Sequence, residues 1–376
     1  MVAKLYIPFW ALLLFVMPVN NKGLLLQEKF ISISHEVVVN HPGEKSPSTV
    51  VLIEVRDSNG LPLEYYMDVE SVICLEAVCK VIPVRIYWNN IGVYQRYELD
   101  NNGTLEKYKA DLFEPEDYKK LDSILANPAS PFKEVYINDI LTVVNELSED
   151  VDAISGATAL KLDEKDTVPG AALTCFTLWH WANGEIVSII KNLTGEAVTN
   201  QQLMAFLQNM DDTYYYLVLE QFAKRGIYAD EYFDHVLERA KDNAVLIRPT
   251  IGYIESAPEE VYFMAIKRLL GIGNHPQKIA ALKSIQNIEH VPSTDYLNSL
   301  ATNISKLDSF QEIAAFLELM EIRGNNSEML INNILPLLDK DILLARRSYW
   351  FLSSVPLNAE QKKKVDNFFA QNKDRL

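Results

Sequence analysis

The feature that most constrains this chain is a change of apolar period partway along it. From about Thr199 onward, apolar residues recur three and four positions apart. The first set is Leu203, Phe206, Leu207 and Met210, followed by Leu217, Leu219, Phe222 and Ala223. The same spacing continues through Glu259–Leu270, Gln277–Ile288, Thr294–Leu307, Phe310–Met320, Met329–Leu338 and Ile342–Leu352. Such spacing puts one buried stripe on each helix. Breaks fall at Gly226, at Gly271 and Gly273, at Pro292 and at Gly324. The expectation is an all-α region over 199–376, built as a bundle or a HEAT-like array of short antiparallel helices. Its spacing is too irregular to define a repeat. It carries no catalytic constellation, so its default role is structural support or partner docking.

Residues 30–195 follow a different rule. Ser48–Val55 is valine-rich and runs into Asp57-Ser-Asn-Gly60, a turn signal, and then Leu61–Val69, which reads as a β-hairpin. Val81–Trp88 alternates as a strand, with Pro83 marking an edge or a strand start. Gly92–Leu99 continues the pattern before Asp100-Asn-Asn-Gly103 turns the chain. Glu114–Leu125 reads as an amphipathic helix with acids in its first turn, where the helix dipole favours them. Val168–Trp181 reads as a helix with Pro169 near its first position. The fold class is therefore an α+β domain over 30–195 followed by the helical region.

Composition removes several function classes. Asp+Glu is 51 against Lys+Arg 35, a formal net charge of -16. That balance disfavours a phosphate-binding surface, so nucleic acid is not an expected partner. Three cysteines and six histidines are too few for a disulfide scaffold or a multi-finger zinc protein. No spacing supports a Ser-His-Asp or Cys-His site, a P-loop or a metal centre, and no catalytic residue is assigned. Lys4 followed by the apolar run Leu5–Val19 reads as a signal peptide over 1–20, or an uncleaved anchor. A membrane association is expected only through that segment. Cys74 and Cys79, spaced Cys-x4-Cys, suit a local disulfide in an exported protein, with two free thiols as the alternative. Cys175 sits in an apolar run and reads as an inert buried thiol.

One short stretch carries chemistry: Asp152-Ala-Ile-Ser-Gly-Ala-Thr158. It closely resembles the flavinylation motif of the FMN-binding domain found in the sodium-translocating NADH:quinone oxidoreductase. Related electron-transport complexes and many exported bacterial redox proteins share that domain. In the family, the threonine ending Asp-x-x-Ser/Thr-Gly-Ala-Thr carries FMN through a phosphoester bond. A separate flavin transferase attaches it outside the cytoplasm, with FAD as donor. The matching residues are Asp152, Ser155, Gly156, Ala157 and Thr158, and the resemblance makes Thr158 the acceptor. It covers seven residues sharply and about a hundred before them loosely, and the helical half lies outside it.

The residue types suit that chemistry. The acceptor must be a hydroxyl that enters another enzyme's site. Gly156 and Ala157 keep the approach open, and Gly156 permits a tight turn. Ser155 is placed to cap a helix starting at Gly156, so a phosphate on Thr158 would meet free N–H groups of a first turn. Asp152 orients the turn or serves the transferase. Trp179, His180 and Trp181 are the candidate flavin contacts downstream, with Trp179 foremost, although aromatic residues on an apolar helix are more often core. The resemblance implies an exported flavoprotein of the periplasm or cell envelope. It would act in electron transport as a carrier rather than a stand-alone enzyme, with FMN as covalent cofactor and a redox partner the sequence does not encode. The alternative is an envelope scaffold or binding protein with a degenerate flavin domain and a partner-docking helical half.

Overall fold

The computed structural model describes residues 30–72, 81–100, 103–107, 110–140, 165–289 and 291–376. The chain begins as an antiparallel meander: β1 (Ile31–Val39), β2 (Ser48–Arg56), β3 (Pro62–Glu70), β4 (Pro83–Asn89) and β5 (Tyr94–Leu99), paired in that order. Alternation selects the two faces. Leu52, Tyr65, Met67, Val84, Ile86 and Trp88 point into the core. Tyr66, Tyr87, Arg85 and Arg96 share the opposite face, where the guanidiniums of Arg85 and Arg96 lie over the rings of Tyr66 and Tyr87. The Asp57 carboxylate closes the β2–β3 turn by accepting from the N–H groups of Asn59 and Leu61, both at 2.8 Å. Pro83 opens β4, an internal strand, where a missing N–H costs the ladder least.

The sequence pattern does not reveal β1, although Ile33, His35, Val37 and Val39 alternate there and face Glu54, Leu52, Val50 and Ser48 across the ladder. The residues between them, Ser32, Ser34 and Glu36, are polar and dilute the apolar signal.

Three helices cover the inner face. The first, α1 (Pro115–Leu125), carries a Glu114/Asp117 capping box and packs against β5. The second, α2 (Ala172–Asn183), starts later than the position of Pro169 suggests. Pro169 and Gly170 instead form a turn, closed by the Ala171 N–H donating to the Val168 carbonyl at 2.9 Å, with Gly170 at φ 77°. Pro followed by a positive-φ Gly is the type II signature. The third, α3 (Ile186–Ala197), packs on β3. The Trp88 indole N–H donates to the Ala182 carbonyl at 2.7 Å, and the hydroxyls of Tyr65 and Thr194 pair at 2.9 Å. One apolar core joins the sheet to α1, α2 and α3.

The rest is helical: α4 (Asn200–Leu207), α5 (Asp212–Arg225), α6 (Asp230–Lys241), α7 (Ala244–Glu255), α8 (Glu259–Ile272), α9 (His275–Asn287), α10 (Thr294–Ala301), α11 (Phe310–Ile322), α12 (Glu328–Ile334), α13 (Ile342–Ser353) and α14 (Ala359–Asn372). Helices α5, α7, α9, α11 and α13 form a continuous row, each packing on the next. The intervening helices build a second layer over it. Two expected helices end early. Thr294–Leu307 breaks after Ala301 into a 3-10 turn at Ile304–Lys306. Met329–Leu338 breaks where Pro336 cannot donate, giving a 3-10 segment at Leu335–Asp339.

The two halves share a joint. Ile91, in the β4–β5 turn, belongs to the helical core and is fully buried. Beside it, the Tyr214 hydroxyl of α5 donates to Asn90 Oδ1 at 2.7 Å, and Asn90 Nδ2 donates to the Pro62 carbonyl at 2.9 Å. Gly92 has φ 76°, and a Cβ there would stand 2.9 Å from the Val187 carbonyl oxygen. Both facts require glycine.

Candidate functional site

Asp152, Ser155, Gly156, Ala157 and Thr158 lie outside the described residues, as do Cys74 and Cys79. The described chain on either side of the motif is informative. Ile140 and Val168 are 3% and 0% exposed, and both belong to the core beneath the sheet. The Val168 N–H points to the Cys175 sulfur at 3.5 Å. The described residues on either side of the motif therefore lie in one core, that of the α+β half. Cys175 is a free thiol at 0% exposure, and burial pushes its pKa up to about 11. It is a core residue without nucleophilic character at neutral pH.

Helix α2 brings a ring cluster together next to those anchors. Trp179 is buried, and its indole N–H donates to the Asn127 carbonyl at 2.9 Å. The structure thus places this candidate contact in the core with its one polar group satisfied. His180 lies edge-on to Phe176 and Trp179, with centroids 4.4 and 4.9 Å away. His41, from the loop after β1, meets Trp181 at 4.6 Å and His180 at 5.7 Å. No local pattern in the sequence marks His41. Its place in the cluster depends on a contact 136 positions away, the Thr177 carbonyl at 3.0 Å from Nε2.

The electrostatics of the cluster follow from burial. His41 Nδ1 accepts from the Gly43 N–H at 3.0 Å while Nε2 donates to Thr177, a pattern that only the neutral ring completes. Desolvation lowers its pKa to about 4, against the opposing pull of Thr177. His180 is lowered to about 4 by desolvation and by the neighbouring His41, while a hydrogen bond to the Phe132 backbone opposes the shift. His180 Nε2 is buried without a hydrogen-bond partner among the described residues. An orphaned ring nitrogen of this kind is costly unless something donates to it.

Two further polar groupings have structural explanations. Glu54 is fully buried on the inner sheet face, where its carboxylate is held by Arg56 at 2.9 Å and His35 at 2.7 Å. In the helical half, Ser309, His275 and Glu312 adjoin one another, but Ser309 Oγ and Glu312 Oε1 both reach the same nitrogen, His275 Nδ1, at 3.1 and 2.9 Å. A proton relay needs the nucleophile and the acid on opposite ring nitrogens. Glu312 instead completes the capping box of α11 with Ser309. Among the described residues no group of three metal-ligating side chains occurs. No described helix is long and apolar enough to cross a membrane.

Comparison with protein-family models, with curated proteins and with solved structures finds no match to this chain.

Proposed function

We propose that this protein is an exported flavoprotein that carries FMN on Thr158 and takes part in extracytoplasmic electron transfer. The observation that carries the reading is the stretch Asp152-Ala-Ile-Ser-Gly-Ala-Thr158. In maturation the Thr158 hydroxyl takes the FMN phosphate from FAD, and AMP departs with the hydroxyl proton. A flavin transferase performs that step. By the resemblance, the small residues Gly156 and Ala157 leave the acceptor hydroxyl open to approach, and Asp152 orients the stretch or serves the transferase. When bound, the isoalloxazine supplies the redox chemistry, and the chain holds and shields it.

Two observations on the described residues support the fit. Both anchors of the motif stretch, Ile140 and Val168, are buried in the α+β core rather than in a linker between the halves. The orphaned His180 Nε2 is a buried acceptor on an aromatic helix, the kind of group a flavin N–H or ribityl hydroxyl would satisfy. Trp179 fixes α2 against Asn127 and so keeps that helix in place. The HEAT-like reading of the helical half is part of the same proposal. It rests on the row α5–α7–α9–α11–α13 and its covering layer.

The test is co-expression with a flavin transferase and export, followed by denaturing electrophoresis. Wild-type protein is expected to give a fluorescent flavin band that survives denaturation, and Thr158→Val is expected to abolish it. A colourless wild-type band under conditions that flavinylate a control protein contradicts the reading.

A further inference from the structure

Among the described residues, helices α7, α9 and α11 leave an uncovered groove of about 1250 Å³ along their row. Ile247, Ile251, Ile279, Ala280, Ala314 and Ala315 line its floor, and the 44%-exposed Phe310 stands at one end. The three helices run in the same direction. His275, at the start of α9, bonds Glu312 in the first turn of α11, and Ser284, late in α9, donates to Glu255 at the end of α7 at 2.8 Å. The groove therefore has two distinct ends. Near the helix C-termini it is rimmed by the carboxylates of Glu255, Glu289 and Glu318, which outnumber the two cations there, Lys283 and Arg248. Arg248 reaches Glu255 only at 3.7 Å and is itself largely solvated.

We infer that this groove docks an amphipathic helical segment of a partner protein, with its apolar face on the isoleucine–alanine floor and lysine or arginine residues over the carboxylate end. Three observations select that occupant. The volume exceeds the roughly 300–1,000 Å³ typical of small-molecule pockets, and the groove is open along its length, which suits a helix laid in a groove. Apolar lining residues recur three or four apart on each helix, Ile247 and Ile251, Pro276 with Ile279 and Ala280, and Phe310 with Ala314, so the floor matches a stripe rather than a point. The charge at one end is acidic and within reach of the floor, so a cationic segment complements it and a nucleic acid does not. The groove is independent of the flavin, because none of its residues belongs to the α+β half.

The test uses the full chain and a fluorescein-labelled model peptide about four turns long. The peptide has leucines at i, i+3, i+4 and i+7 and lysines elsewhere, and a twin has glutamate for every lysine. Anisotropy titration is expected to show the lysine peptide binding at least about tenfold more tightly than its twin. Glu255→Lys with Glu318→Lys is expected to weaken the lysine peptide by about tenfold or more. A control pair with the same net charge, Glu231→Lys with Glu260→Lys, lies away from the groove and is expected to change affinity by less than about twofold. Ile279→Asp, checked by circular dichroism for folding, is expected to remove binding of the lysine peptide. Equal weakening by both charge pairs would reduce the effect to the overall charge of the chain and overturn the proposal. Failure of wild-type protein to bind the lysine peptide would overturn it too, including through occupation of the groove by another part of this chain or a second copy.

Discussion

His41 and His180 are the two residues whose chemistry the fold alters most plainly. Each is held neutral, with a folded pKa of about 4 against an ordinary 6.5. A depressed folded pKa means that the unfolded chain binds protons first. The stability this contributes is complete above about pH 6.5 and is lost as pH falls toward 4. For His41, the shift from 6.5 to about 4 corresponds to roughly 3 kcal/mol of linkage. Urea midpoints measured from pH 7.5 down to 4.5 are expected to fall, and in His41→Gln with His180→Gln the fall across that window is expected to shrink. An unchanged pH profile in the double variant would count against the buried neutral pair. Thr158 belongs to the same scale, because the whole functional reading turns on one hydroxyl. A serine there keeps the hydroxyl and is expected to accept flavin at reduced yield, whereas valine keeps the shape and loses the acceptor.

At the scale of elements, the joint between the halves makes a direct prediction. Gly60 and Gly92 both have positive φ, 79° and 76°, but a Cβ at Gly60 meets nothing within 4 Å while one at Gly92 presses on the Val187 carbonyl oxygen. Both alanine variants carry the backbone cost of about 1–2 kcal/mol. Gly92→Ala adds the clash and is expected to lower the thermal midpoint by clearly more than Gly60→Ala. Similar losses in the two would argue that Val187 yields freely. The elements also mark what is legible in the sequence. The strands β2 to β5, helix α1 and most of the later helices carry their own period and turn chemistry, so they can be read locally. Helices α6, α7 and α14 are harder to read. Pro249 lies inside α7, and lysines 362–364 mask the apolar stripe of α14, whose inward positions are Gln361, Val365 and Phe368. The start of α2 is ambiguous because Pro169 suits both a helix N-terminus and a type II turn, and Gly170 decides for the turn. Within the ring cluster, Trp179, His180 and Trp181 stand out as an aromatic run on α2, whereas His41 is not legible, since tertiary packing brings the loop after β1 onto that helix.

For the whole molecule, an antiparallel sheet covered by three helices continues into a two-layer helical array, and Ile91 is one tie between their cores, beside the packing of α3 on α5. Removing a fully buried isoleucine side chain costs about 2–5 kcal/mol. Because that cost falls at the joint, Ile91→Ala is expected to split one calorimetric transition into two. A single transition at lower temperature would mean that the halves are coupled chiefly elsewhere. The division of labour follows the same plan: the α+β half anchors the motif stretch, and the helical half presents a groove. The central claim is that Thr158 carries FMN, and the measurement that meets it most directly is the intact mass of protein exported alongside a flavin transferase, with peptide mapping. The predicted result is a gain of one FMN less one water, located on the peptide containing Thr158 and absent in Thr158→Val. Unmodified wild-type mass under those conditions, or the same gain located on another residue, would contradict it.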